Sequence, residues 1–252
     1  MYSLGVLGGM GSKATVQLFD IIVENTTAEL DQEHLNIVIL NKACIPDRTA
    51  NLLQSQKEVL LPHFLGAMKE LECLSVQNVV IPCNTSHLLF DDLQNYTNLN
   101  IINMPKETLH YLFLSKLPKH AYVLGTLGTT NLRLFDLFNE YGIKIVYPPA
   151  EVCCNVQRII YQIKNTVNHN MDELVDELVL LMKNLKDQSD EEMVFILGCT
   201  ELSLLNKTKL EQFNYIDPLE ILGLVAILKS GGRLQMNKLP YEYDVIKAIS
   251  ES

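Results

Sequence analysis

Val79-Val80-Ile81-Pro82-Cys83-Asn84-Thr85-Ser86-His87 is the stretch on which the reading of this chain turns. Three apolar, β-favouring residues run into Pro82, a thiol follows, and small polar residues able to open a helix come next. The pattern returns in the second half as Val194-Phe195-Ile196-Leu197-Gly198-Cys199-Thr200-Glu201-Leu202. Each copy reads as a buried strand that delivers one cysteine to its carboxyl end, beside hydroxyl or amide side chains and free backbone N–H groups. A helix start of that kind favours an anion and lowers the pKa of a neighbouring thiol. Two such units face to face would set two sulfurs on either side of one small acid.

Around them, strand and helix patterns alternate without hairpin signals, which predicts α/β architecture with parallel sheets covered on both faces. Residues 3–7 read as a strand, 12–27 as a helix, 35–40 as the second strand and 56–73 as the next helix, with Pro62 as a kink or start. Ile45-Pro46-Asp47-Arg48-Thr49 begins a loop, placing Arg48 at a strand's carboxyl end, where open α/β sheets bind ligands. Residues 99–103, 106–114 and 121–124 read as strand, helix and strand. The last runs into Gly125-Thr126-Leu127-Gly128-Thr129-Thr130, again rich in hydroxyl and N–H donors. A helix over 131–141, a strand over 143–147, amphipathic helices over 156–165 and 171–185, and a strand over 193–197 follow. After Cys199 come a short helix, the Tyr215-Ile216 run, an apolar helix over 219–229, and a more polar tail with room for a strand or a small helix.

A chain of 252 residues with 48% apolar content supports one large domain or two modest ones, and a cysteine unit in each half favours two. The formal charge of −10 argues against nucleic acid or an anionic membrane surface as partner. An acidic protein that binds an acidic metabolite must gather cations or N–H donors in its cleft. Met1-Tyr2-Ser3 leads straight into a strand, which is not a signal-peptide pattern, and no apolar run approaches a membrane span. Cys44, Cys73, Cys83, Cys153, Cys154 and Cys199 lack the spacing of a disulfide framework or a zinc site, so they read as reduced thiols in a cytoplasmic protein without metal.

Gly9-x-Gly11-x-x-Ala14 satisfies a relaxed dinucleotide fingerprint. That site also needs an acid at the end of the second strand to hold a ribose, and Asn41-Lys42 stands there instead. No lysine has a recognisable pyridoxal setting.

Gly8-Gly9-Met10-Gly11, Ile45-Pro46-Asp47-Arg48-Thr49, Ile81-Pro82-Cys83-Asn84-Thr85, Leu197-Gly198-Cys199-Thr200-Glu201-Leu202 and Ile216-Asp217-Pro218 occur in the order found in the aspartate/glutamate racemase family, which the first 230 or so residues resemble. The resemblance implies two similar α/β lobes related by a pseudo-two-fold with the site between them, no cofactor, an acidic amino acid as substrate and a homodimer. The lobes would comprise residues 1–98 with about 209–252, carrying Cys83, and residues 99–208, carrying Cys199. By position, Cys83 and Cys199 resemble the catalytic thiols. Asn84, Thr85, Thr126, Thr200 and Glu201 resemble the residues that cradle the α-carboxylate and orient the thiols. Arg48 and Lys164 resemble the pair that binds the substrate's carboxylates, and Met10 resembles a pocket wall. Ser12 replaces the family's usual proline, Lys42-Ala43-Cys44 replaces its usual Asn-Pro-Gln, and the tail beyond Gly232 has no recognised counterpart.

Inverting a carbon that bears hydrogen, amine and carboxylate means removing a proton from one face and returning one to the other. Two opposed thiols, one ionised and one protonated, do this without a base that swings across. The resemblance implies aspartate, or glutamate, as the substrate of such a two-cysteine racemase. A lone strand-end cysteine is more often a small buried hydrophobe, and Cys44, Cys73, Cys153 and Cys154 keep that reading. His87, four residues after Cys83, suits a Cys-His pair but reads better as structural, because the second thiol is followed by Glu201. The alternatives are a non-catalytic protein that closes on an acidic metabolite, and a maleate- or arylmalonate-type isomerase or lyase that needs only one thiol.

Overall fold

The computed structural model describes residues 2–165, 170–236 and 239–251, so Lys238 of the tail segment lies outside the described residues. The first half runs β1 (Leu4–Gly8), α1 (Ser12–Asn25), β2 (Ile37–Asn41), α2 (Arg48–Leu53), α3 (Lys57–Cys73), β3 (Asn78–Val80), α4 (Phe90–Tyr96) and β4 (Asn100–Ile102). After α5 (Met104–Leu114) come β5 (His120–Leu124), α6 (Leu127–Asn131), β6 (Lys144–Val146), α7 (Ala150–Lys164), α8 (Met171–Asp187), β7 (Val194–Leu197), β8 (Tyr215–Ile216), α9 (Pro218–Lys229) and α10 (Tyr243–Ser250).

Two 4-stranded sheets result, ordered β2-β1-β3-β4 and β6-β5-β7-β8, and every pairing is parallel. The orders are the same when each sheet is counted from its own first strand, so the two lobes repeat one topology. In each, the winding direction reverses between the first and third strands, which opens a crevice at their carboxyl ends. Cys83 follows β3 and Cys199 follows β7, so each thiol sits at its own lobe's switch point. Every residue of β1 and β7 is buried, which explains why both read as unbroken apolar runs. Pairing assigns β4 to the first sheet and β8 to the second, later in the chain than the divisions expected after residues 98 and 208. Strands as short as these leave little pattern to place a boundary by.

The lobes share a core. Leu4 and Val6 of β1, Ala121 and Val123 of β5, Leu109 and Leu112 of α5 and most of α9 belong to one apolar cluster. α9 is apolar all round and is sandwiched by α1, α5 and α10. The tail adds to this core: Gln235 N–H donates to the Asn25 carbonyl at 2.9 Å, Thr27 N–H donates to Arg233 at 2.7 Å, and α10 buries Ile246 and Ile249. Tyr241 accepts from Asp217 N–H and donates to Glu220 Oε2, each at 2.9 Å, while Asp217 Oδ1 accepts from Ser203 at 2.8 Å. The tail is thereby tied to the turn that follows Cys199.

Three local expectations are corrected. Arg48 is not in a loop but is the first residue of α2, whose N-cap Asp47 accepts from Ala50 N–H at 2.7 Å. Residues 131–141 are not one helix: Arg133 adopts φ +50°, and a single 3₁₀ turn, Leu134–Phe138, follows so that Leu134 and Phe135 reach the core. α7 begins at Ala150, directly after Pro149, with Cys153, Val156, Ile160 and Ile163 along its buried face.

Candidate active site

The segments after the two cysteine strands are alike in detail. The Cys83 carbonyl accepts from Ser86 N–H at 3.2 Å and the Cys199 carbonyl from Leu202 N–H at 3.0 Å. Each cysteine therefore opens a tight turn, Asn84–Leu89 in one lobe and Leu202–Leu204 in the other. These are 3₁₀ turns, not the α-helix starts expected from the sequence. The first runs on directly into α4, Phe90–Tyr96, whereas the second is a single turn, so the two thiols do not share one helix-dipole setting.

Cys83 and Cys199, both buried, line one cavity between the lobes. Met10, Arg48, Asn84, Thr85, Thr126, Lys164, Thr200 and Glu201 line it too, so every candidate site residue meets there, joined by Asp47 and Thr49, which sequence reasoning missed. Its free volume of about 10 Å³ is room for about one water molecule. Met10, Asp47, Arg48, Lys164 and Glu201 also line an outer cleft of about 300 Å³, so both cations stand between that cleft and the thiols.

Hydroxyls join the lobes across this chamber. Thr49 Oγ1 donates to Thr126 Oγ1 at 3.1 Å, and Thr85 Oγ1 lies 3.3 Å from Thr126 Oγ1 and 3.1 Å from Thr129 Oγ1. Thr200 Oγ1 donates to the Pro82 carbonyl at 3.2 Å. A methyl group on Gly128 would lie 2.9 Å from both Thr49 Oγ1 and Thr85 Cγ2, so only glycine allows the lobes to meet this closely. At the rim, Tyr161 OH donates to Asp47 Oδ2 at 3.1 Å, and Lys164 Nζ lies over the Tyr161 ring at 5.4 Å. One tyrosine of the second lobe thus bridges the segment that carries Arg48 and the side chain of Lys164.

The charges are arranged unequally around the sulfurs. Cys199 Sγ donates to Glu201 Oε2 at 2.9 Å, and Lys164 Nζ stands 3.8 Å from Glu201 Oε1. Burial, then the Glu201 carboxylate, push the Cys199 thiol well above its ordinary range, with Lys164 opposing. Burial alone would lower the Lys164 ammonium, but Glu201 and the two sulfurs more than offset it and raise its pKa. Glu201 Oε1 also lies against α1: a methyl on Gly11 would come within 2.9 Å of it. The glycine turn that resembled a dinucleotide fingerprint packs a carboxylate of the protein itself.

Arg48 is buried and bonded only to carbonyls, with Nη1 donating to Ile45 at 3.2 Å and Pro46 at 2.9 Å and Nη2 to Met10 at 2.6 Å. Its Nε has no partner, and no carboxylate pairs with it among the described residues. Asn84 is 2% exposed, yet neither its Nδ2 nor its Oδ1 is bonded. A buried amide left so costs about 1–3 kcal/mol for each unmet group, and the cavity is where a partner can enter. His87 points elsewhere: its Nε2 lies 3.3 Å from the Ile81 carbonyl, and burial lowers its pKa to about 4. It is a neutral, packed imidazole, in keeping with the structural reading.

Among the described residues no cluster of metal-ligating side chains occurs, and no helix is long and apolar enough to cross a membrane. Two lobes of one parallel topology, each supplying a buried cysteine to a shared cavity, define a two-domain α/β protein. The chain belongs to the Asp/Glu/Hydantoin racemase family, whose model matches residues 7–223. Similar structures include an aspartate racemase of Picrophilus torridus, with TM-score 0.80 and 25% identity over 93% of this chain and 96% of that one. The glutamate racemase isoform RacE1 of Bacillus anthracis shares the fold, with TM-score 0.60 and 16% identity over 90% of this chain and 82% of the other. The broad specificity amino-acid racemase RacX of Bacillus subtilis is 26% identical over 142 residues, 53% of this chain and 58% of that relative. The match thus spans little more than half of that curated relative's length.

Proposed function

We propose that this chain is a cofactor-independent aspartate racemase in which Cys83 and Cys199 exchange protons with opposite faces of Cα. The observation that carries the reading is that two thiols from equivalent switch points line one cavity, together with an unpartnered amide and a cation lacking a counter-ion. One sulfur, as thiolate, takes the α-proton. The electron pair left on Cα spreads into the α-carboxylate, and the other thiol returns a proton to the opposite face. Asn84 and the threonine hydroxyls stabilise that charge, because donors fixed in a dry site cost no reorganisation as it develops. Arg48 and Lys164 hold the two carboxylates, and the likeness to an aspartate racemase supports aspartate over glutamate. With the chamber closed to about one water's room, an amino acid enters only when the Tyr161–Asp47 bond parts.

The test is incubation with L- and D-aspartate, then L- and D-glutamate, in deuterated water, following the α-proton signal. Both aspartate enantiomers should exchange and converge on a racemic mixture, faster than glutamate. An enzyme that exchanges neither acid is not this one.

At rest Cys199 carries its proton, held by Glu201, and in the direction of reaction where it is the acid it is the group that returns a proton to Cα. Activity then falls on the alkaline side as pH rises through the elevated Cys199 pKa, because the acid loses its proton. Glu201→Gln removes the negative charge that keeps this pKa high, so the alkaline limb of the kcat/KM profile should move to lower pH. A profile whose limb stays in place, or moves upward, removes Glu201 from this role.

A further inference from the structure

A second cavity, of about 330 Å³, lies at the carboxyl end of β4, away from the thiols. Asn103, Lys106, Glu107 and His110 line it from the start of α5, spaced so that they share one helix face. Glu140 and Tyr141 face them from the second lobe, and Lys229 closes the cavity from the end of α9.

Two lysines face two carboxyls here, so the cavity is left with one positive charge when Glu107 carries its proton. Lys106 Nζ pairs with Glu140 at 3.1 Å, whereas Lys229 makes no ion pair within 4.0 Å among the described residues and acts on Glu107 only through space. Glu107 is 9% exposed; burial raises its carboxyl to about 7, although Lys229 and Lys106 pull it down. His110 is held below its usual value by burial, with Lys106 and Lys229 adding to the effect and Glu140 opposing, so it adds no charge at neutral pH. Burial, then Glu140 and Glu107, raise the Tyr141 phenol, which stays neutral as well. Asn103 supplies the second observation. Its Oδ1 accepts from Lys106 N–H at 3.1 Å, but its Nδ2 is unpartnered although the residue is 4% exposed. An ammonium that faces Glu107, a carboxyl held largely neutral by burial below pH 7, and an amide N–H without an acceptor line the same cavity. The His110 and Tyr141 rings, stacked at 4.9 Å with 11° between their planes, add a flat apolar wall.

We propose that this cavity binds a small organic carboxylate with an apolar body, its oxygens taken by Lys229 and the Asn103 amide and its body laid on the His110–Tyr141 stack. Glu107 joins as an O–H donor, so binding takes up a proton. A phosphate dianion suits the place less, because it brings a second negative charge that Lys229 does not offset beside the Glu140 carboxylate.

Benzoate titrated into the full chain tests this, read from the His110 ring-proton resonances assigned through His110→Gln. A saturable shift is expected, about tenfold weaker at pH 8 than at pH 6 because Glu107 must be protonated; acetate should bind more weakly and inorganic phosphate should not saturate. Lys229→Met should abolish the shift. Glu107→Gln, which offers an amide donor at every pH, should bind with a flat pH dependence and guards against a folding defect in the lysine variant. No saturable shift, a shift that survives Lys229→Met, or pH-independent binding to the unmodified chain would each overturn the proposal.

Discussion

Cys199→Ser and Cys83→Ser are each expected to slow aspartate racemisation about 10³-fold or more in both directions, within the range a positioned acid or base supplies. Serine keeps the size, and at position 199 it keeps a donor for Glu201, so thermal stability should change little. What it lacks is acidity: a hydroxyl does not ionise in this pH range and is a poor acid toward a carbanion. Both thiols are needed for inversion, yet each alone can exchange the proton on its own face. Each variant should therefore retain slow deuterium exchange into one enantiomer, and the two variants should retain it for opposite ones. If either variant racemises at more than a tenth of the native rate, or both exchange the same enantiomer, the two-thiol reading fails. Were the sulfurs only small buried hydrophobes, both substitutions would lower stability and leave the rate alone.

How much of this was legible beforehand follows from what each residue's environment depends on. The cysteine strands were readable because parallel strands buried on both faces become unbroken apolar runs, and their recurrence exposed the repeat. Most of the residues that meet at the chamber were placed by the family resemblance, but Asp47 and Thr49 were not. The setting of the sulfurs was not. Seen in sequence, small polar residues after a strand suggest an α-helix start, whereas Asn84–Leu89 and Leu202–Leu204 are 3₁₀ turns. That choice is made by packing between lobes, to which local propensity is blind. The same holds for Arg48: its place at a strand end was visible, but not its bonds to the Met10, Ile45 and Pro46 carbonyls, two of which belong to its own approach and one to a turn far away in the chain. Asp47 carried a local signal as an N-cap ahead of Ala50, but its bond to Tyr161 spans 114 positions, and no local pattern encodes such a pair.

Lys164→Ala is expected to lower kcat/KM for aspartate about 10²- to 10³-fold, in keeping with the roughly 2–5 kcal/mol lost when one partner of a buried charged pair is removed. Most of that loss should fall on aspartate and little on alanine, which lacks the side-chain carboxylate, so the preference between them collapses. Arg48→Ala should act in the same direction but is the less clean probe, since it also deprives three backbone carbonyls of their donor. Arg48→Lys does not repair this, because a single ammonium cannot span the places a planar guanidinium reaches. An aspartate-to-alanine preference left unchanged by both alanine variants would sink the dicarboxylate reading while leaving the thiol chemistry standing. Lys164 has a second, separable effect. Its charge lowers the Cys199 pKa while that of Glu201 raises it. Lys164→Ala should therefore move the alkaline limb of the residual activity to higher pH, and Glu201→Gln should move it lower. Opposite shifts from two substitutions at one ion pair follow only if both groups act on the proton that Cys199 carries, whereas general damage to the chamber would move the two profiles the same way.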